Sequence, residues 1–420
     1  MIGKRPWVGQ IAPTLAFACS LVFAPPSSWG APPEVSEQAR RVHESALLFD
    51  GHNDLPWLMR ERGDVKFEKI DLSSGFAKAQ TDIPRLRAGG VKAQFWSVYI
   101  PSEIPNPARV VTEQIDLVHR MVEKYPNDLA MAYSADEVEA AVKSGKIASL
   151  IGIEGGVAIE NDLTLIRAFH RQGARYMTLT HNATLDWADA ATDLPKHDGL
   201  SPFGERVVRE MNRVGMLVDI SHVSPATMAD ALRVSQAPVI ASHSSAYTIA
   251  PSPRNVPDEI LKQIPKNGGV IMVNFYSGFI VPEAAKASAL ARKELREKHP
   301  APADFDRAMS AWAKAYRMPR GTIANVVEHI EHIIQTAGVD HVGIGSDFDG
   351  ITSWPVGLED VAHFPQLTEA LLKRGHSEED VKKILGGNVL RAFRQAGQVA
   401  ERLQKTTPPE VDQPNVEPAS

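Results

Sequence analysis

Short, nearly unbroken apolar runs alternate along the chain with longer stretches whose apolar residues recur at helical spacing. Eight runs have the β-branched and aromatic content of strands: ALLFDGH near residue 49, AQFWSVYI near 96, ASLIGIE near 151, RYMTLTH near 178, GMLVDISH near 218, PVIASH near 240, GGVIMVNFY near 272 and HVGIGSD near 344. Runs that are apolar at successive positions, rather than at every second one, belong to strands covered on both faces, as in parallel sheets. The segments between them, such as ARVVTEQIDLVHRMVEKY, LTLIRAFHRQG and FGERVVREMNRVG, predict amphipathic helices. Ser224-Pro225 ahead of ATMADALRV reads as an N-capped helix with proline at its first position. Eight strands with helical crossovers predict a (β/α)8 TIM-like barrel. A doubly wound open sheet is the alternative, weakened because no glycine-rich phosphate loop follows the first strand. Residues 282–317 break the alternation. They are Ala-, Lys- and Glu-rich and read as one or two exposed helices inserted before the last strand, a solvated decoration or else a lid or subunit contact.

Hydrophobic residues make up 43% of the 420, enough for a large core, and no fixed-period repeat divides them. The formal charge of −6 argues against a general nucleic-acid binder, which needs a basic surface. Cys19 is the only cysteine, which excludes an intramolecular disulfide framework and a thiolate zinc site. Metal chemistry must therefore use imidazole and carboxylate. Residues 1–30 read as an export signal: Lys4 and Arg5 precede an apolar stretch from Ile11 to Ala24, with small Ser28 and Gly30 before a cut at Ala31. A membrane anchor is disfavoured, since the run is shorter than the ~20 residues a span needs and Pro13 interrupts it. The expected division is a signal at 1–30, a single barrel domain at 31–405 and a Pro-rich, polar, disordered tail at 406–420. An exported product, periplasmic or secreted and without a stable membrane anchor, follows.

The ends of the strand runs carry the chemistry. His52 and Asp54 stand two apart after the first run, so an extended segment points both the same way. Glu154 closes the third run, His181 the fourth, His222 the fifth, His243 the sixth and Asp347 the eighth. A carboxylate straight after LIGI needs a cation or strong donors, because burying it unpaired is costly. Each residue alone is weak evidence; six strands delivering an imidazole or carboxylate to the end where barrel enzymes keep their chemistry is not. Three or more histidines with two acids suit zinc first, with manganese or cobalt as other candidates. More ligands than one tetrahedral ion needs point to two metals, with Glu154 bridging and a shared water as nucleophile. His329 and His332, three apart in VVEHIEHIIQTAG, read instead as a solvated helix face. No HExxH is present, so a zincin mechanism has no support.

These residues in their contexts resemble the membrane dipeptidase (renal dipeptidase) family, metallopeptidases of the amidohydrolase superfamily. The resemblance spans residues 40 to 395. It rests on FDGHNDLP at 49–56, GIEGG at 152–156, LTHN at 179–182, DISHVS at 219–224, SHSSAY at 242–247, RNVPDE at 254–259, MVNFY at 272–276 and GSDFDG at 345–350. It implies that His52 and Asp54 bind one zinc, His222 and His243 the second, and Glu154 both. It further implies that His181 stabilises the oxyanion, that Arg254 holds the dipeptide's C-terminal carboxylate, and that Asp347 moves a proton from water to the leaving amine. The implied activity is zinc-dependent hydrolysis of dipeptides, C-terminal D-residues included, by an enzyme that forms a homodimer. Three features depart from the family pattern: there is no lipid-anchor tail, there are no cysteines for the disulfides of the animal members, and the loop after Tyr276 is longer, with Phe279 where some members carry a second tyrosine. The alternatives are another binuclear amidohydrolase, acting on an N-acyl-D-amino acid, a lactone or a phosphoester, and a non-catalytic binding protein on the same barrel.

Overall fold

The computed structural model describes residues 34–411; the expected export signal lies outside them, as do residues 412–420 of the expected tail. Nine parallel strands form one sheet: β1 Leu48–Asn53, β2 Val91–Tyr99, β3 Leu129–Met131, β4 Ile147–Glu154, β5 Ala174–Thr178, β6 Leu217–Asp219, β7 Ile240–Ala241, β8 Val270–Val273 and β9 Val342–Ile344. Pairing runs β1–β2–β4–β5–β6–β7–β8–β9 and returns from β9 to β1, so eight strands close a barrel surrounded by helices. The eight apolar runs supply those eight strands. β3 is the addition: it pairs with the start of β4, from Leu129↔Ile147 to Met131↔Ser149, on the edge that β5 takes over from Ile151 onward. Three residues are too few to stand out as an apolar run.

Period-two alternation assigns the strand residues to two cores. Phe95, Leu150, Tyr176, Leu217 and Met272 pack together inside the barrel. Their chain neighbours Trp96, Ile151, Met177, Val218 and Ile271 face outward under the helices. Val389, Phe393 and Ala396 of the helix Asn388–Thr406 join the inner cluster, closing the barrel's N-terminal end. One step further along the same inward faces the chain turns polar, with Ser97, Thr178, Asp219 and Asn274 and, beyond Gly152, Glu154, all buried. The polar end of the barrel is thus written into the strands as a change of residue type at a fixed face.

Residues 282–317 form two helices, Pro282–Lys298 and Pro302–Ala315, and they are not a solvated decoration. Arg292 donates to the carbonyl of Thr192 at 3.0 Å and Arg296 pairs with Asp193 at 3.3 Å, tying the insertion across the loop that follows β5. The insertion is therefore a roof over the C-terminal ends of the strands. At the other terminus, Arg167 donates to the Glu410 carbonyl at 2.9 Å and Arg206 pairs with the Glu410 carboxylate at 2.5 Å, so residues 407–411 lie along the body. Among the described residues no helix is long and apolar enough to cross a membrane.

His329 corrects the expectation of a solvated helix face. It is fully buried, its Nδ1 accepting from the Ala246 amide at 3.0 Å and its Nε2 facing the Ile280 carbonyl at 3.3 Å. His332, half-buried, pairs with Asp258 at 2.8 Å. The helix Ile323–Ala337 turns His329 toward the barrel, and only the backbone partners, which no spacing reveals, make an imidazole acceptable there. Burial pushes the His329 imidazole down from 6.5 to about 4. Above pH 6.5 both folded and unfolded chains hold it neutral; between 6.5 and about 4 only the unfolded chain takes the proton, so stability drains as pH falls. We expect wild type to lose on the order of 3 kcal/mol more than His329→Gln across that window, read as denaturant midpoints at pH 7 and pH 4.5. Parallel losses in the two proteins would refute the assignment.

Candidate metal centre

Glu154, the last residue of β4, is the hub of a buried cluster at the polar end of the barrel. Its Oε1 lies 3.0 Å from His222 Nε2, 3.4 Å from His243 Nε2 and 3.8 Å from His181 Nε2. Its Oε2 lies 3.4 Å from His52 Nε2 and accepts from Ser97 Oγ at 3.2 Å. Asp54 Oδ2 is 3.3 Å from His52 Nε2. Three overlapping groups have ligand atoms close enough to hold one ion: His52–Glu154–His243, Glu154–His181–His222, and His52–Asp54–Asp347. Each oxygen of Glu154 therefore faces a different part of the cluster.

The donor set fits divalent metal. His52 Nε2 and Asp54 Oδ1 are buried without a hydrogen-bond partner, an expensive arrangement for polar atoms out of contact with water. His222 Nε2 and His243 Nε2 are 2.9 Å apart. Burial, reinforced by nearby cationic groups, holds both imidazoles well below their usual value, so both are neutral at pH 7, the form that binds metal. His222 and Asp347 also have left-handed backbones, with φ of 68° and 64°, which cost about 1–3 kcal/mol each and persist where the surroundings enforce them.

Side chains one layer below orient the cluster. Tyr176 Oη meets His52 Nδ1 at 2.8 Å, which turns His52 Nε2 toward Asp54 and Glu154. Gly152 makes room for it: a Cβ there would sit 2.0 Å from Cζ of the Tyr176 ring. Gly152→Ala should therefore destabilise the protein by about 1–3 kcal/mol and weaken metal binding with it. Thermal unfolding with and without metal checks this; an unchanged midpoint would show that the ring moves freely. Asp50, pushed up to about 6 by burial, accepts from the Ser346 amide at 2.8 Å and the Ser346 hydroxyl at 2.6 Å, locking the ends of β1 and β9 together.

Asp347 lies beside the cluster. Asn274 Nδ2 donates to its Oδ2 at 2.8 Å. Gly350 packs so closely that a Cβ would meet Asp54 Oδ2 at 2.2 Å and Asp347 Oδ1 at 2.6 Å. Burial, then the charges of Asp54 and Glu154, push the Asp347 carboxyl well above the usual range, against the pull of His52 and Asn274. Arg254 is buried too, its guanidinium reaching only Ser244 Oγ at 3.4 Å and the His243 carbonyl at 3.5 Å, with Phe279 5.2 Å away and Nε unpartnered. Among the described residues no carboxylate pairs with it, and burial pushes it down to about 10. Asp54, Glu154, His181, His222, His243, Arg254 and Asp347 line one cavity of about 630 Å³, and His52 is fully buried behind them. Trp57 and Tyr99 form part of its wall, and Arg292, Met309 and Trp312 of the insertion form its roof.

The structure thus gathers Asp54, Glu154, His181, His222, His243, Arg254 and Asp347, all singled out in the sequence, around one cavity, with His52, singled out with them, joined to them through the donor cluster beneath it. Sequence reasoning missed Tyr176, Asn274 and the roof residues. Tyr176 and Asn274 share an inward strand face with apolar neighbours, and that shared face is the one signal they left.

The model of the membrane dipeptidase family, peptidase family M19, matches residues 36–407. Dipeptidase 3 of Rattus norvegicus is 39% identical over 386 residues, covering 90% of this chain and 71% of that protein. Among solved structures, the probable dipeptidase PvdM from Pseudomonas aeruginosa superposes with a TM-score of 0.76 at 24% identity, over 86% of this chain and 98% of that one. A metallopeptidase from Rhodobacter sphaeroides, liganded with a phosphinate mimic of the dipeptide L-Ala-D-Ala, superposes with a TM-score of 0.69 at 24% identity, over 84% and 99%. These two likenesses bear on the fold; the family model and the rat relative bear on descent. The chain belongs to the membrane dipeptidase family, peptidase family M19.

Proposed function

We propose that this chain is a zinc-dependent dipeptidase with two metal ions, one held by His52 and Asp54, the other by His222 and His243, and Glu154 shared between them. The convergence of both Glu154 oxygens on separate imidazoles, beside a buried arginine that no carboxylate among the described residues pairs with, is the observation that carries this reading. Bound divalent ions supply a Lewis acid for the scissile carbonyl and an acidified water at neutral pH. The chain's own groups do the rest. Arg254 takes the C-terminal carboxylate of the substrate, a pairing its buried guanidinium lacks. His181, its imidazole held below the usual value chiefly by burial, donates a hydrogen bond to the oxygen that gains charge. Asp347, with Oδ2 engaged by Asn274, uses Oδ1 to take the proton of the attacking water and return it to the leaving amine nitrogen. The roof excludes bulk water and limits the length of peptide that fits.

The proposal extends to substrates with a D-residue at the C-terminal position, to an exported enzyme freed of residues 1–30, and to a homodimer. The test is a panel of L,L and L,D dipeptides, each with a free and an amidated C-terminus, assayed with and without chelator. Free dipeptides should be cleaved in a chelator-sensitive way, and amidation should lower kcat/KM by roughly 10²-fold or more, the scale of a lost buried charge pair. Equal cleavage of both forms would remove Arg254 from its role. A metal-loaded protein that cleaves none of them would move the activity to an N-acyl-D-amino acid, a lactone or a phosphoester.

A further inference from the structure

Asp219 ends β6 on its inward face, fully buried, and its side-chain hydrogen bonds go to Thr178, Ser221 and Ser242, none of them a member of the donor cluster. Four donors converge on it. Its Oδ1 accepts from the backbone amides of Ser221 at 3.0 Å and Ser242 at 2.8 Å. Its Oδ2 accepts from the hydroxyls of Thr178 and Ser242, both at 2.6 Å. Ser242 Oγ is in turn 2.8 Å from His243 Nδ1. A serine hydroxyl has a single hydrogen. Because Ser242 spends it on Asp219, its oxygen accepts from His243, and the His243 hydrogen resides on Nδ1. The lone pair is then on Nε2, which faces Glu154 Oε1.

We infer that Asp219 is a positioning residue that selects the Nδ1–H tautomer of His243 through the Ser242 hydroxyl. The inference rests on the reading of His243 as a metal ligand and deepens it, since a ligand must present a bare nitrogen.

The geometry makes an unusual demand on the isosteric variant Asp219→Asn. The two backbone amides at Oδ1 require the amide oxygen on that side, so the asparagine NH2 takes the place of Oδ2. There it donates to Ser242 Oγ, whose own hydrogen must turn elsewhere. The nearest acceptor is His243 Nδ1 at 2.8 Å, closer than Ser221 Oγ at 3.4 Å. Asparagine therefore drives His243 into the Nε2–H tautomer, which cannot bind a cation. Removing the hydroxyl altogether, as in Ser242→Ala, leaves the tautomer free and is the milder change.

The test is zinc affinity by competition with a chromogenic chelator, with thermal unfolding of the metal-free proteins alongside. Ser242→Ala should weaken the zinc assigned to His222 and His243 roughly 10-fold and Asp219→Asn roughly 100-fold, the range spanned by outer hydrogen bonds to metal ligands. The double variant Asp219→Asn/Ser242→Ala should recover to within a few-fold of Ser242→Ala. A purely structural role predicts the reverse, a double variant at least as weak as Asp219→Asn, and that result would overturn the inference. Should Asp219→Asn not fold, ¹⁵N-histidine spectra of the metal-free wild type decide. They should show His243, identified by its loss in His243→Gln, protonated at Nδ1; protonation at Nε2 alone would overturn the inference. His243→Gln separates the two levels. If it loses zinc while Asp219→Asn keeps wild-type affinity, the tautomer inference falls and the ligand assignment stands. If it binds zinc as wild type does, both fall.

Discussion

Asp347→Asn is expected to keep its metal and its fold and to lose roughly 10³-fold in kcat, the middle of the range for removing a general acid–base group. Asparagine matches aspartate in shape and its oxygen can still accept from Asn274 Nδ2, so the left-handed backbone at this position has no new reason to move. What it cannot do is take a proton. KM should change little, because Arg254 and not Asp347 holds the substrate carboxylate in this mechanism, so kcat and kcat/KM should fall together. Metal content and steady-state kinetics on one preparation check the expectation. Turnover within a few-fold of wild type would remove Asp347 from proton transfer. Loss of metal in the variant would instead make Asp347 a ligand, as its place beside His52 and Asp54 allows.

Glu154→Gln should have the larger effect on metal. The substitution keeps the shape of the side chain, but it replaces one acceptor oxygen by an NH2 that faces an imidazole nitrogen or Ser97. One half of the cluster then meets an N–H where it had an anion, and the other meets a neutral oxygen. Metal affinity should fall at least 10²-fold, and dipeptide cleavage should fall with it and recover only in part with excess zinc. Ser97→Ala, which removes one hydrogen bond from Oε2 and leaves the charge, is the mild control. A Glu154→Gln protein with wild-type metal content and turnover would show that the two oxygens of Glu154 bridge nothing.

The sequence made the barrel legible because its eight strands are buried on both faces and so read as unbroken apolar runs, while β3, with Leu129, Ala130 and Met131, had too little length to register. The metal cluster was legible for a related reason. His52, Glu154, His181, His222, His243 and Asp347 each stop an apolar run, and in a parallel barrel all such stops lie at one end. Three things stayed hidden. The side chains that orient the cluster, Tyr176, Ser242 and Asp219, are told from core or turn residues only by the atoms they meet across neighbouring strands. The insertion has the alanine and lysine content of an exposed helix. Its contacts, such as those by which Arg292 and Arg296 fasten it to Thr192 and Asp193, make it a roof, and no composition shows them. His329 stands on one helical face with the buried Val326, Ile330 and Ile333, and what stayed hidden is the partner that makes an imidazole tolerable there, the Ala246 amide, eighty-three residues earlier in the chain.

Zinc per chain, measured on purified protein alongside dipeptide cleavage before chelation, after it, and after zinc is returned, tests the proposed mechanism most directly. The expected result is two zinc ions per chain, cleavage abolished by the chelator, and activity restored in step with the second equivalent of zinc. A protein that holds no zinc and cleaves no dipeptide when zinc is supplied, or one fully active with a single ion, would contradict it.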